Sequence, residues 1–227
     1  MTTIASNLQG VRGRIAKACA EARRDVNEVT LLAVSKTFGP DAVREAHAAG
    51  QSAFGENYIQ EAVEKIALLA DLHLEWHCIG PIQSNKTRLV AAHFAWAHTV
   101  DRLKIAQRLS EQRPPDAPPL QVCIQVNVDG GASKSGVAPE EAADLAHAIA
   151  ALPRLALRGL MTIPEPAADF EAQLAVHGKA RELFDSLRAQ GLELDTLSMG
   201  MTADLEAAIH AGSTMVRVGT AIFGGRN

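Results

Sequence analysis

The stretch Thr30-Leu-Leu-Ala-Val-Ser-Lys36 decides the fold class of this chain. It is an almost unbroken apolar run, which is typical of a parallel β-strand buried on both faces, and it ends in a lysine. Parallel α/β folds place their functional groups at the carboxyl ends of the strands. Lys36 is therefore the first candidate for a functional residue. The competing interpretation is a lysine that simply leaves the strand into solvent.

Strand and helix patterns alternate about eight times along the 227 residues of the chain. Residues 6–24 form an amphipathic helix pattern before the first strand. The later strands are predicted at residues 52–54, 75–79, 94–98, 120–126, 155–160, 194–197 and 214–218, with helical patterns between them. This count fits a barrel of about 250 residues. We predict an α/β fold, a single (β/α)8 TIM-type barrel with an extra N-terminal helix, as one domain over residues 1–227.

Composition and charge limit the function classes. With 47% hydrophobic and 21% charged residues and a net charge of −4, the chain has no basic blocks with interleaved aromatics, so we expect neither nucleic-acid nor membrane binding. Three scattered cysteines indicate a reducing compartment and no metal site. No signal-peptide pattern and no membrane-spanning apolar run occur, so we expect a cytoplasmic protein. No long apolar seam indicates an interface, and we expect a monomer.

Two glycine-containing segments follow the seventh and eighth predicted strands. They read Ser198-Met-Gly-Met-Thr202 and Arg217-Val-Gly-Thr220. In many barrels these two loops bind a phosphate through backbone amides and a helix amino terminus. The glycines let the backbone approach an anion, the hydroxyls donate hydrogen bonds, and Thr202 is placed to cap the next helix. Taken alone, either segment could equally be a helix cap followed by a turn.

A lysine after the first strand, opposite a phosphate-binding pair of loops, suits an aldehyde cofactor that carries a phosphate. The amine forms a Schiff base with the aldehyde and the loops hold the phosphate, which points to pyridoxal 5′-phosphate (PLP). An aldolase that acts on a phosphorylated sugar would use the same parts. Its lysine, however, should have an acid or base partner, and no Lys/Glu/Asp cluster is evident at the other strand ends.

Six segments, in order along the chain, form a more specific pattern. They are Leu32-Ala-Val-Ser-Lys36, Phe54-Gly-Glu-Asn57, His77-Cys-Ile-Gly-Pro-Ile-Gln-Ser-Asn-Lys86, Gly159-Leu-Met-Thr-Ile-Pro164, Ser198-Met-Gly-Met201 and Gly212-Ser-Thr-Met-Val-Arg-Val-Gly219. Together they resemble the signature blocks of the pyridoxal phosphate homeostasis proteins, single-domain relatives of the alanine racemase barrel. The resemblance covers essentially the whole chain. It implies PLP held as a Schiff base on the strand-one lysine, which is Lys36.

The resemblance also implies the other cofactor-binding residues. The phosphate contacts fall on the loops after strands seven and eight, at Ser198, Gly200, Thr202 and Gly219. The family's arginine near the pyridine nitrogen or the phosphate corresponds to Arg217, and its Gly-Glu-Asn block places Asn57 beside the cofactor. The pattern predicts no catalytic residue and no metal ligand. Only the loop at residues 128–132 departs from the family, because it is less acidic than we would expect.

Arg217 bears on the choice between a carrier and an enzyme. A fixed cation near the pyridine nitrogen disfavours its protonation and makes the ring a poorer electron sink. Racemases on this kind of barrel also use a tyrosine from an extra carboxy-terminal domain. This chain ends at Asn227, shortly after the eighth predicted strand, so we expect that domain to be missing. Its only tyrosine, Tyr58, is expected to be a packing residue rather than a base.

These observations favour a protein of intracellular PLP (vitamin B6) homeostasis, which buffers PLP on Lys36 or delivers it to PLP-dependent apo-enzymes. A low-activity PLP-dependent amino-acid racemase is the alternative. Lys86 and Lys134 are rival amines for the Schiff base: Lys86 starts a helix and should meet solvent or an anion, whereas Lys134 lies in a polar loop that could reach the rim. His77 lies within a strand and should face the core or the helix layer.

Overall fold

The structure, a computed structural model, describes residues 3–131 and 135–225. Eight parallel strands pair in chain order, and the last pairs with the first, so that they close into a barrel. The strands are β1 (Thr30–Val34), β2 (Ala53–Glu56), β3 (Glu75–Cys78), β4 (Trp96–Val100), β5 (Leu120–Gln125), β6 (Leu155–Met161), β7 (Thr196–Ser198) and β8 (Met215–Val218). This closure confirms the (β/α)8 TIM-type barrel that the sequence predicts.

The helices surround the barrel in the order that the sequence pattern indicates. They are α1 (Ile4–Glu21), α2 (Pro40–Ala48), α3 (Ile59–Leu68), α4 (Thr87–His93), α5 (Leu103–Gln112), α6 (Ala142–Ala150), α7 (Phe170–Ala189), α8 (Leu205–His210) and α9 (Thr220–Phe223), with short 3-10 helices at Val26–Glu28 and Pro139–Glu141. The first is the predicted extra helix. Over residues 3–131 and 135–225, none of the helices combines the length and apolar character needed to cross a membrane.

Two apolar cores result from the alternation of side chains along each strand. The larger core lies between the strands and the helices. The smaller one fills the barrel interior and consists of Leu32, Val34, Ala53, Ile79, Trp96, Cys123, Met161 and Met215. Polar side chains of the inner faces complete this interior, and they are described below because several of them reach the functional end of the barrel.

The end of β1 differs from the prediction. The strand stops at Val34, so that Lys36 lies in a turn two residues beyond it rather than at the last strand position. The amide of Ser35 still donates to the Gly55 carbonyl at 3.0 Å, but the amide of Phe38 then donates back to the Ser35 carbonyl, and Thr37 has a φ of 67°. The chain therefore turns sharply at Lys36, which leaves its side chain at the rim.

Helix α1 packs on α2, α8 and α9. Thr3 begins the helix by accepting a hydrogen bond from the Ser6 amide. The guanidinium of Arg14 binds both carboxylate oxygens of Glu206 at 2.7 and 2.8 Å, and the amide group of Asn7 donates to the Ile222 carbonyl. The extra helix is therefore fastened to the elements that follow β7 and β8.

We expect Leu8→Ala to lower the free energy of unfolding by about 2–4 kcal/mol, because Leu8 of α1 is completely buried and its removal leaves a cavity against the barrel wall. Gln9→Ala is the matched control on the exposed side of the same helix and should change that free energy by less than about 0.5 kcal/mol. Urea unfolding measures both values. Equal effects of the two substitutions would show that α1 is not part of the cooperative core.

Candidate functional site

A cavity of about 390 Å³ opens at the carboxyl-terminal rim of the barrel, a size suited to a small-molecule ligand. Its lining residues come from six of the eight strand ends and are Val34, Lys36, Asn57, Ile79, Met161, Ile163, Met201, Thr202, Ala203, Arg217, Gly219 and Thr220. Among these lining residues of the described chain, Lys36 and Arg217 have ionisable side chains, and both are cationic when protonated. The cavity therefore suits an anionic ligand.

The cavity brings together five of the seven predicted cofactor-binding residues, Lys36, Asn57, Thr202, Arg217 and Gly219. The other two lie deeper. Ser198 is fully buried, and its hydroxyl is hydrogen-bonded to His98 and Arg217. Gly200 supports the site through its backbone, since its carbonyl accepts the Arg217 amide at 2.9 Å. The direct phosphate contacts of Ser198 and Gly200 stay predictions.

The turn that carries Lys36 is held from below by a buried ion pair. The ammonium of Lys65, in α3, lies 2.6 Å from Glu56 Oε1 at the end of β2, and it also donates to the Ser35 carbonyl at 2.9 Å. The Ser35 hydroxyl donates to the same Glu56 oxygen at 2.7 Å. On the other side of Lys36, the Thr37 amide donates to Glu61. Both neighbours of Lys36 are therefore fixed, and the lysine is free to point into the cavity.

Burial makes this ion pair costly to disrupt. Desolvation raises the pKa of Glu56, and the nearby ammonium of Lys65 opposes that shift. Glu56 Oε2 has no hydrogen-bond partner in the described part of the chain. This oxygen therefore has no hydrogen bond that replaces its lost hydration. A buried carboxylate in this position depends on its single cationic partner.

Asn57 follows β2 and presents an unused acceptor to the cavity. Its Oδ1 is buried and has no hydrogen-bond partner among the residues that the structure describes. The backbone of Gly80, after β3, comes so close that a Cβ there would lie 2.1 Å from the Asn57 carbonyl oxygen. Only glycine allows this contact. The site therefore holds an unpaired amide oxygen in place, which fits a bound polar ligand.

Arg217 lies inside the barrel at the floor of the cavity. Its Nη1 donates to Ser198 Oγ and its Nη2 to the Thr162 carbonyl, both at 2.8 Å. Burial lowers the pKa of Arg217 to about 10, a shift that the negative charge of Asp204 partly opposes. A guanidinium remains charged at neutral pH under these conditions. The cavity floor is therefore a fixed positive charge.

The loop between β7 and α8 differs in one detail from the prediction. The expectation that Thr202 caps the next helix is wrong, because Asp204 occupies the residue before α8. Asp204 Oδ1 instead accepts the Met201 amide at 2.6 Å, and its Oδ2 lies 2.9 Å from His177 Nε2. Gly200 has a φ of 95°, and a Cβ there would lie 2.5 Å from Ala208 Cβ. The loop thus folds back on itself and leaves Thr202 to line the cavity.

The rival residues lie away from the cavity or outside the described residues. Lys86 precedes α4 and donates to Gln60 at 3.3 Å. Lys134 lies outside the residues that the structure describes. Tyr58 is 51% exposed, so the expectation that it is a packing residue is wrong. It precedes α3 and does not line the cavity. His77 faces the barrel interior, as predicted, and stacks on Trp96.

Sequence reasoning missed the residues that support the site. Glu56 and Lys65 give only a weak sequence signal, a carboxylate that ends an apolar strand and a lysine four residues after a glutamate in the next helix. Asp204 gave no sequence signal for its contacts with His177 and the Met201 amide. Each of these roles depends on contacts between different elements, which neither spacing nor periodicity specifies.

Comparison with known proteins finds relatives that match this chain over almost its whole length. The family model described as "Alanine racemase, N-terminal domain" matches residues 11–227. A protein of Pseudomonas aeruginosa named pyridoxal phosphate homeostasis protein is 63% identical over all of this chain and 97% of its own. A protein of the same name from Escherichia coli K12 is 54% identical, over all of this chain and 98% of its own. These names confirm the family resemblance that the six sequence segments indicate.

A solved structure has the same fold. The structure of PipY from Synechococcus elongatus PCC7942, with PLP bound, is 37% identical and superposes with a TM-score of 0.81, covering 92% of this chain and all of the PipY chain. The similarity therefore extends from the sequence segments to the whole barrel.

We expect Lys65→Met to lower the free energy of unfolding by about 3–5 kcal/mol, because it leaves Glu56 buried without its cation. Lys17→Met is the matched control. Lys17 pairs with Glu21 on an exposed face, and its loss should cost at most about 1 kcal/mol. Urea unfolding compares the two variants. A loss below about 1 kcal/mol for Lys65→Met would show that the ion pair does not hold the Lys36 turn.

We expect Asp204→Asn to lower the free energy of unfolding by about 1–2 kcal/mol at neutral pH. Burial by itself would raise the pKa of Asp204, but the hydrogen bonds from His177 and the Met201 amide outweigh it, so the pKa is lowered. The stabilisation is therefore complete above the unfolded pKa of about 3.9 and is lost as the pH falls through the lower folded value.

The pH dependence of the stability difference between the native chain and Asp204→Asn measures this effect. Asp116→Asn, at an exposed loop position, is the control and should show no such dependence. A difference that stays constant from neutral pH into the acid range would contradict the assignment of the lowered pKa to Asp204.

Proposed function

Because this chain belongs to the alanine racemase N-terminal domain family, we propose that it binds PLP in the rim cavity and acts in the intracellular homeostasis of PLP. The observation that carries the proposal is the cavity itself, where an amine and a fixed guanidinium line one small-molecule space. The names of the Pseudomonas and Escherichia relatives and the PLP-bound PipY structure support the choice of ligand.

The lining residues fit the parts of PLP. Lys36 would hold the cofactor through a Schiff base, formed when its unprotonated amine condenses with the aldehyde and water leaves. The anionic phosphate would lie against the loops after β7 and β8, where Thr202, Gly219 and Thr220 line the cavity. Asn57 Oδ1, buried and unpaired among the described residues, offers an acceptor to the bound molecule.

Arg217 favours holding PLP over using it for catalysis. When bound, PLP supplies an electron sink whose strength depends on protonation of the pyridine nitrogen. The guanidinium of Arg217 keeps its charge and can only donate hydrogen bonds, so a ring nitrogen placed against it would remain unprotonated. Racemisation also needs a base on each face of the substrate. Lys36 is the one lining group of the described chain that could act as a base.

We propose further that the chain works as a monomer in the cytoplasm and as a single domain over residues 1–227, with PLP-dependent apo-enzymes as recipients of the cofactor. The low-activity amino-acid racemase remains the alternative function. The rim position of the cavity supports delivery, since a ligand there can leave without opening the barrel.

We expect the purified chain to develop a yellow absorption band with PLP, and borohydride to trap the cofactor on Lys36, as read by peptide mapping. Lys36→Ala should abolish both the band and the adduct. Lys86→Ala is the matched control and should retain them, because Lys86 lies outside the cavity lining. A colourless protein, or an adduct only on Lys86 or Lys134, would contradict the proposed site.

A second measurement separates the carrier from the racemase. The PLP-loaded chain is incubated with L-alanine or L-serine, and the optical activity is followed. A carrier leaves the rotation unchanged. Loss of rotation that Lys36→Ala abolishes would establish the racemase instead.

A further inference from the structure

A chain of hydrogen bonds crosses the barrel interior from one end to the other. Glu75 Oε1 lies 2.8 Å from His77 Nε2, and His77 Nδ1 lies 2.9 Å from His98 Nε2. His98 Nδ1 lies 2.8 Å from Ser198 Oγ, which accepts from Arg217 Nη1 at 2.8 Å. The five residues belong to β3, β4, β7 and β8. All except Glu75 are buried, so this hydrogen-bond chain is shielded from water along most of its length.

The two ends of this hydrogen-bond chain lie in different surroundings. Glu75 begins β3 at the amino-terminal end of the barrel, and its side chain is 50% exposed. Arg217 lines the cavity at the opposite end. A carboxylate in contact with water is therefore connected, through three buried side chains, to the guanidinium of the ligand site.

The positions of the protons along the hydrogen-bond chain follow from the chemistry of its two terminal groups, Arg217 and Glu75. A guanidinium only donates and a carboxylate only accepts hydrogen bonds. Burial lowers the pKa of both His77 and His98, so both imidazoles are neutral, with one donor and one acceptor nitrogen each. The order of donation is then fixed as Arg217 to Ser198, Ser198 to His98, His98 to His77 and His77 to Glu75. Both histidines carry their proton on Nε2.

Other groups that face Glu75 keep its carboxylate ionised. The hydrogen bond from His77 lowers the pKa of Glu75, with smaller contributions from the Trp96 indole N–H and the charge of Arg158. Arg158, on β6, is itself paired with Asp195 and lies over the Trp96 ring. The acceptor end of the hydrogen-bond chain is therefore charged at neutral pH.

We propose that Glu75, His77 and His98 are positioning residues that orient the guanidinium of Arg217 through the hydroxyl of Ser198. The Ser198 hydroxyl is a stronger acceptor for Arg217 when its own O–H donates a hydrogen bond to His98, because donating polarises the oxygen that accepts. If the order of donation were reversed, Ser198 would accept from both His98 and Arg217, and its proton would have no partner in the chain. The acceptor end at Glu75 thus determines how firmly Arg217 is held.

The effect on the ligand rests on the proposed PLP site, whereas the tautomers can be read in the protein without cofactor. The test uses the full chain with 15N-labelled histidine, its long-range 1H–15N NMR spectrum and its affinity for PLP. Glu75→Lys places a donor where the acceptor was, whereas Glu75→Gln retains an acceptor oxygen. Glu193→Lys makes the same charge change at an exposed position before β7 and serves as the control.

In the native chain we expect the Nε2–H tautomer at both His77 and His98. Glu75→Lys should convert both to the Nδ1–H tautomer and weaken PLP binding about tenfold. Glu75→Gln and Glu193→Lys should retain the native tautomers and bind PLP within about twofold of the native chain.

An Nδ1–H tautomer or a protonated ring in the native chain would overturn the proposal. So would a Glu75→Lys variant with unchanged His98 signals or unchanged PLP affinity. A native chain that shows both Nε2–H tautomers but binds no PLP would instead overturn the proposed function, while its spectra would still support the order of donation.

Discussion

Pairing of β8 with β1 is the constraint on which the rest of this structure depends. The register places Leu32 beside Arg217 and Ala33 beside Val218, so residues almost the whole chain apart become neighbours. Closure leaves the barrel without an open sheet edge and directs every strand end to one rim. The lysine after β1 and the loop after β8 are therefore parts of the same cavity wall, although nothing in their local sequence connects them.

The interior of this barrel departs from purely apolar packing along one line. Eight apolar residues fill much of it, while His77, His98, Ser198 and Arg217 carry a hydrogen-bonded path through it. Burying such groups costs free energy unless every donor finds an acceptor. Here Nη1 of Arg217 donates to Ser198 and Nη2 donates to the Thr162 carbonyl, which offsets part of the cost of burying a guanidinium at the floor of the cavity. A buried ion pair, Glu56 with Lys65, lies outside the barrel wall and holds the turn at Lys36. Both arrangements place charge where a ligand site needs fixed groups, rather than where stability alone would favour it.

Several features of the site were predictable because they depend on strand ends. In a closed parallel barrel, the residues after each strand must meet at one rim, which is why Lys36, Asn57, Arg217 and Gly219 could be grouped from the sequence.

The details that differed from the prediction depend on local backbone geometry. The strand ends two residues before Lys36, because Thr37 and Phe38 form a tight turn on Ser35. Thr202 does not cap α8, since Asp204 takes up the backbone amide of Met201 instead. Tyr58, the residue before α3, is exposed rather than packed in the core.

The sequence by itself determined the alternation of strands and helices, the closed barrel, the family and the set of rim residues. These follow from hydrophobic periodicity, from the count of βα units and from motifs whose residues are close together in the chain. Only the tertiary structure decided which side chains support that rim. Glu56 meets Lys65 across two elements, Asp204 reaches His177 of another helix, and Glu75 is linked to Arg217 through strands on opposite sides of the barrel. Hydrogen bonds of this kind depend on distances of about 3 Å between side chains far apart in sequence, and periodicity carries no information about such distances.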